Sequence, residues 1–312
     1  MVLYLPDDAL EAMDIAPPDI ADAIEAALVE KSKGALHVTP KSALLPGGGR
    51  YMMSTLAVGD LTVVKQVTVS PENPGIGLPS INGAIMVLDA QTGLLKAVMG
   101  ANWITAHRTA ALSAVAARRL ASPEASTIAF VGCGVQARSH LRALSALFPL
   151  KSALAVGRTQ ATVDGFLEHA KAFGLQAAQA ETPREALQHA DIVVSSITLN
   201  YETQPFLSAS WLKPTAFAAI TDLCIPWGPA SMDRFGTVVV DDMDQERTSE
   251  TPMLDPKLIA GDLTDLVVGR IGELIPEHPT AFAFRGIALG DYAAAALALR
   301  RAEESGAGQR IG

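Results

Sequence analysis

Cysteine is nearly absent: Cys133 and Cys224 are the two in 312 residues. They are too few and too far apart for a disulfide framework or a zinc site. No metal is expected, and two reduced thiols in a cytoplasmic protein is the plain reading. Positive charge is also short, with 24 Lys and Arg against 33 Asp and Glu, a formal net charge of −9. That argues against nucleic acid or an anionic membrane as a main partner. It leaves room for a small anionic ligand in a local basic site. No uncharged apolar run is long enough to span a bilayer. The first residues, with Asp7, Asp8 and Glu11, show no basic-then-apolar leader. Repeats and low-complexity tracts are missing too. What is present is an ordered composition, 49% hydrophobic and 18% charged, long enough for two cores.

The chain divides by pattern. Pro17-Pro18-Asp19 opens a helix that stops at Gly34, proline inside the start and glycine past the end. Residues 51–58, 61–69, 81–90 and 94–99 read as strands with Gly59-Asp60 as a hairpin turn, an antiparallel sheet. An alanine-rich helix is expected from Thr105 to Leu120, with Ala110, Ala111, Ala114, Ala117 and Ala121 making one side small. From Ser126 strand and helix alternate, with strands expected at 127–131, 152–156, 175–179, 191–195, 215–221 and 237–241. That predicts a Rossmann-type, doubly wound parallel sheet. A last helix at 291–304 is expected to return to the first domain. The fold class is therefore α/β, a Rossmann-type sheet plus an α+β substrate and dimerisation domain with an antiparallel sheet. The expected domains are 1–120 plus 287–312, and 121–286.

The strongest motif is Val131-Gly132-Cys133-Gly134-Val135-Gln136-Ala137, which follows a short apolar run and enters a helical pattern. Strand, glycine turn and helix is the context of a dinucleotide fingerprint. Gly132 permits the turn and Gly134 lets backbone approach a pyrophosphate. Ala137 is small enough for helix–strand packing. Val135 and Gln136 open a helix whose free N–H groups face phosphate. At the end of the next strand, an acid would meet the ribose hydroxyls; here Arg158 and Thr159 stand instead, which suits a 2′-phosphate. NADP(H) is favoured, with NAD(H) as the alternative and a solvated loop arginine as the plain one. Ser196 and Ile197, after the apolar run 191–195, join the expected coenzyme-binding residues.

Four further residues carry chemistry. Lys65 shares one strand face with Val63, Val67 and Val69. An ammonium in an apolar row needs a partner, unless it sits at a sheet edge or snorkels. Arg108, expected in the first turn of its helix, is a carboxylate clamp or a surface arginine. Arg50 follows Gly47-Gly48-Gly49 and either approaches a ligand or lies in a loop. Asp222 follows a strand of the parallel sheet, where ligands bind and a carboxyl can move a proton, or where it merely caps a turn.

Taken together, Arg50, Lys65, Ile104-Thr105-Ala106-His107-Arg108-Thr109-Ala110-Ala111, the glycine turn and Asp222 resemble the ornithine cyclodeaminase/mu-crystallin family over nearly the whole chain. Asn73-Pro74-Gly75 with Gly77-Leu78-Pro79 resembles the loop after that family's lysine strand. The resemblance implies a homodimer through the antiparallel domain and a Rossmann domain holding NAD(P). It implies that Arg50, Lys65 and Arg108 hold the substrate carboxylate, with Lys65 and Asp222 catalytic and Asp222 the acid/base. The segment Asp222-Leu223-Cys224-Ile225-Pro226-Trp227-Gly228-Pro229 departs from the Pro-Gly-Lys-Thr-Glu-Leu-like stretch of cyclodeaminases. The expected activity is therefore NAD(P)H-dependent reduction of small α-imino acids such as 1-pyrroline-2-carboxylate or iminosuccinate to L-amino acids. An ornithine cyclodeaminase or alanine dehydrogenase type of enzyme and a non-catalytic mu-crystallin-like NADP-binding protein are the alternatives. His37, Lys41, Asn82 and His107 are candidates for the far end of the substrate.

Overall fold

A computed structural model describes residues 1–312. In chain order the elements are β1 (Val2–Leu5), α1 (Asp7–Ala12), α2 (Pro17–Ser32), β2 (His37–Val38), β3 (Ser42–Gly47), β4 (Arg50–Val58), β5 (Leu61–Val69), β6 (Ile81–Asp89), β7 (Leu95–Gly100) and α3 (Ala101–Leu120). Then follow β8 (Thr127–Val131), α4 (Val135–Ser145), β9 (Ser152–Val156), α5 (Gln160–Ala172), β10 (Gln176–Gln179), α6 (Pro183–His189), β11 (Ile192–Ser195), β12 (Phe217–Ile220), β13 (Thr237–Val240), α7 (Met243–Arg247), β14 (Ile259–Asp262), α8 (Leu263–Val267), β15 (Thr280–Ala283), α9 (Ala288–Ser305) and β16 (Gln309–Ile311). The chain divides into two units, Met1–Arg108 with Gly286–Gly312, and Thr109–Arg285. The first division falls inside α3, upstream of the expected position 120.

The first unit is built on an eight-stranded sheet in the order β16-β1-β7-β6-β5-β4-β2, with β3 paired to β4. Strands β4 to β7 pair antiparallel. β5 is rich in β-branched residues, which suit a pleated, half-buried surface. Its residues Val63, Lys65 and Val67 are buried, on the face against which α9 packs. α2 lies against α9 in turn.

Two helix starts differ from expectation. α3 begins at Ala101, not Thr105. The Oδ1 of Asp7 accepts the backbone N–H of Trp103 at 2.7 Å, so the cap comes from 96 residues away and no local pattern shows it. Arg108 consequently lies about two turns into the helix, not in its first turn. α9 begins at Ala288, which places Asp291 inside its first turn.

The second unit is a wholly parallel sheet in the order β10-β9-β8-β11-β12-β15-β13-β14. It reverses direction of construction beside β8, the switch point at which doubly wound folds bind ligands. β14 and β15 were not expected from sequence. β15 is Thr280-Ala281-Phe282-Ala283, fully buried between β12 and β13. Four residues with two alanines are too short and too weakly β-forming to announce a strand. No helix is long and apolar enough to cross a membrane.

Candidate active site

In the first unit, Lys65 is 1% exposed in a central strand. Its Nζ lies 2.6 Å from Oδ1 of Asp291, on α9. The Nε of Arg108, on α3, is 3.0 Å from the same oxygen. The hydroxyl of Thr55, directly across the ladder from Lys65, donates to Oδ2 of Asp291 at 3.1 Å. Two cations thus share one carboxylate oxygen. Burial, then the nearby Arg108, lower the Lys65 pKa to about 8, while Asp291 works in the opposite sense. Burial pushes the Asp291 carboxyl up, but Arg108 and Lys65 outweigh it and hold the group below the usual carboxylate range. A buried ammonium beside a buried guanidinium is a donor pair that suits a small carboxylate.

The third expected cation, Arg50, does not pair with Asp291. Arg50 is exposed at the start of β4, and its Nε donates to Gly47 O at 3.4 Å within the same hairpin. The charge of Lys41, by contrast, is felt at Lys65, where it lowers the pKa further. Of the other polar candidates, His107 stacks on Trp103 with ring centroids 4.4 Å apart. Asn82 donates to Pro79 O at 2.7 Å and is exposed, as is His37.

The sequence alone does not point to Asp291 or Thr55. An acid in the first turn of a helix is ordinary, so nothing local marks Asp291. The signal available was that a lysine in an apolar row requires an anion from somewhere else in the chain.

In the second unit the glycine turn joins β8 to α4. Gly132 has φ +97, and a Cβ there would lie 2.5 Å from the carbonyl oxygen of Ser196. At Gly134 a Cβ would meet nothing within 4 Å. Gly134 is the N-cap of α4 and no side chain caps it, so the helix N-terminus is open to a ligand. The side-chain oxygens Ser196 Oγ and Gln136 Oε1 are buried without a hydrogen-bond partner. These features fit a dinucleotide: free backbone donors, an open cradle and orphan polar groups beside it. Val135 begins α4 and is exposed, while Ala137 is fully buried against the sheet. Arg158 and Thr159 are exposed after β9; the hydroxyl of Thr159 pairs with that of Thr162 at 2.8 Å.

Asp222, two residues past β12, is fully buried. Ser195 Oγ donates to its Oδ1 at 3.0 Å and Ile197 N–H to its Oδ2 at 3.2 Å. Trp227 Nε1 donates to Ser195 Oγ at 3.0 Å. Burial pushes the Asp222 pKa up to about 7, against the pull of those donors. A carboxyl poised near neutrality can give or take a proton. The sequence marks Ser195 and Trp227 only as a strand end and an aromatic in a loop.

A profile of the ornithine cyclodeaminase/mu-crystallin family matches residues 8–306. A Sinorhizobium fredii protein called an uncharacterized cyclodeaminase is 33% identical over 299 residues, 90% of this chain and 84% of that protein. The Delta(1)-pyrroline-2-carboxylate reductase of Bacillus cereus is 28% identical over 298 residues, 88% of this chain and 89% of that protein. Among solved structures, the Thermococcus litoralis Delta(1)-pyrroline-2-carboxylate reductase, in complex with NADH and L-proline, superposes with a TM-score of 0.90 at 24% identity. That match covers 99% of this chain and 100% of the other. It shows the α/β fold.

Proposed function

The chain belongs to the ornithine cyclodeaminase/mu-crystallin family, and from that premise we propose that it reduces small α-imino acids to L-amino acids with NAD(P)H. The observation that carries this is Asp222, a fully buried carboxyl at the end of β12 with a pKa of about 7. A protein that only stores a ligand has no use for a buried proton donor. Bound at the glycine turn, the nicotinamide coenzyme supplies the hydride. Lys65 and Arg108 bind the substrate carboxylate, and Asp291 keeps both cations charged and in place. Asp222 delivers a proton to the imine nitrogen as the carbon is reduced, so one C–H and one N–H bond form and the C=N π bond is lost. Holding one end of a small substrate is the main source of rate here.

Arg158 favours NADPH over NADH, through the 2′-phosphate. Arg50, and Lys41 whose charge acts on Lys65, are the further cations we assign to the carboxylate end of the substrate. A homodimer is supported by the outer face of the first unit's sheet. Leu56, Val64, Met86, Val98 and Tyr4 share one register row there, and Met86 and Tyr4 are 45% and 40% exposed. Such a row across a sheet is apolar surface that a second copy would cover. The two buried, unpaired thiols suit a reducing compartment such as the cytoplasm.

The test is loss of nicotinamide absorbance with 1-pyrroline-2-carboxylate, and separately with alanine-forming and aspartate-forming imino acids, using NADPH and NADH. Net coenzyme consumption is expected. Release of ammonia from ornithine with no net change in coenzyme would overturn it in favour of a cyclodeaminase.

A further inference from the structure

We propose that Ser195 and Trp227 are positioning residues for the proton donor of this reaction: the Trp227 indole turns the Ser195 hydroxyl so that its proton points at Asp222 Oδ1. The proposal rests on Asp222 being that donor. Ser195, Asp222 and Trp227 are 0%, 0% and 1% exposed, so no bulk water can stand in for any of the three.

The direction of each bond is fixed by what the groups can do. An indole N–H donates and cannot accept. Trp227 therefore occupies an acceptor site on Ser195 Oγ, at 3.0 Å. The hydroxyl proton is left for Asp222 Oδ1, also at 3.0 Å. The Ile197 amide, a donor as well, takes Oδ2 at 3.2 Å. Every protein partner on this carboxyl is a donor. While Ser195 is held as donor to Oδ1, the proton of neutral Asp222 sits on Oδ2, whose partner, the Ile197 amide, cannot accept it, and it is left for the substrate nitrogen. Without the indole, Ser195 would be free to turn and accept that proton, drawing it away from the reaction.

The backbone is shaped to deliver the indole. Leu223 and Cys224, directly after Asp222, have φ of 57° and 58°. Two successive non-glycine residues in the left-handed region are strained, and such strain persists only where the surroundings impose it. The amide of Ile225 returns to Asp222 O at 3.1 Å and that of Trp227 to Cys224 O at 3.0 Å. The amides of Phe206 and Leu207 both donate to Pro226 O at 2.8 Å. The Trp227 ring packs on Phe235, with centroids 5.8 Å apart. The titratable neighbour is Cys224, whose thiol is pushed up by burial, then by Asp222 and Glu246, and stays neutral where Asp222 titrates. Arg285, which also acts on Cys224, is paired with Glu246 at 2.8 Å.

The experiment is the pH profile of kcat at saturating 1-pyrroline-2-carboxylate and NADPH, which Lys65 acting on KM does not shape, for the wild type, Trp227→Phe, Ser195→Ala, Ser195→Thr and Asp222→Asn. Loss of a donor, or release of a hydroxyl that can then accept, favours the neutral acid. The high-pH limb should move up by roughly one pH unit in Ser195→Ala and Trp227→Phe. kcat should fall at least about tenfold, and NADPH affinity by fluorescence should not change. Ser195→Thr, which keeps the hydroxyl, should keep the wild-type limb. A limb unmoved in Ser195→Ala, which loses one oxygen and tests the chain even if Trp227→Phe does not fold, overturns the proposal. So does an equal shift in Ser195→Thr. A limb that persists in Asp222→Asn overturns instead the assignment of Asp222 as donor.

Discussion

The carboxylate of Asp291 lies 2.6 Å from the ammonium of Lys65, across 226 residues of sequence. The last helix of the chain thus supplies the anion that lets a lysine occupy the buried face of a central strand. Because Arg108 reaches the same oxygen, the carboxylate is shared between two buried cations.

Removing that anion takes from two buried cations the carboxylate they share. Asp291→Asn is expected to cost about 3 kcal/mol or more in urea unfolding at pH 7. An unchanged unfolding midpoint would mean the pair contributes nothing to the fold.

The charge on Lys65 is itself pH-dependent. Its folded pKa is about 8, below the 10.5 of a free lysine side chain. The unfolded chain therefore binds more protons between those values, and stability should rise with pH across that window. Ligand binding should go the other way. As Lys65 loses its proton above about pH 8, KM for the imino acid should climb. A KM flat from pH 7 to pH 9.5 would contradict a role for Lys65 in holding the carboxylate.

The two glycines of the turn should separate fold from coenzyme binding. Gly132→Ala places a methyl 2.5 Å from Ser196 O at φ +97, and about 2 kcal/mol or more of stability should be lost. Gly134→Ala meets open space; its melting temperature should hold while NADPH affinity, by fluorescence titration, weakens about tenfold or more. Equal melting temperatures for both variants would refute the distinction.

Coenzyme choice should follow one side chain. Arg158→Asp is expected to lower kcat/KM for NADPH relative to NADH by about 100-fold, since an acid repels the 2′-phosphate and accepts from the ribose hydroxyls. An unchanged ratio would place the 2′-phosphate elsewhere.

His140 offers a stability probe away from the chemistry. It is fully buried, its Nε2 2.9 Å from Ser113 Oγ and its Nδ1 2.7 Å from Gln136 O. Burial lowers its pKa to about 4 from 6.5. The unfolded chain binds the extra proton between those values. Stability is full above about pH 6.5 and is lost as pH falls toward 4, by about 3 kcal/mol at most. His140→Gln should flatten that part of the pH–stability curve; a curve parallel to wild type would show that His140 does not contribute to it.

Much of this was legible without coordinates. The strands β5, β8 and β9 fall at the residues their β-branched or apolar runs mark. α2 ends where Gly34 takes φ +74. The glycine turn, Lys65, Arg108 and Asp222 were each visible as residues of unusual chemistry for their local pattern. Strand β15 and the true start of α3 were not visible, because an alanine-rich strand and a cap borrowed from Asp7 carry no local signature.

Local order is what the linear chain could determine: hydrophobic period, turn residues and the strand–glycine–helix motif depend on neighbours a few positions away. Partnership was left to the tertiary structure. That Lys65 meets Asp291, that Arg50 faces solvent, and that Trp227 reaches Ser195 follow from how the sheets order their strands and where each helix returns. A buried charge or hydroxyl must find its complement through space, and sequence separation does not tell which group will supply it.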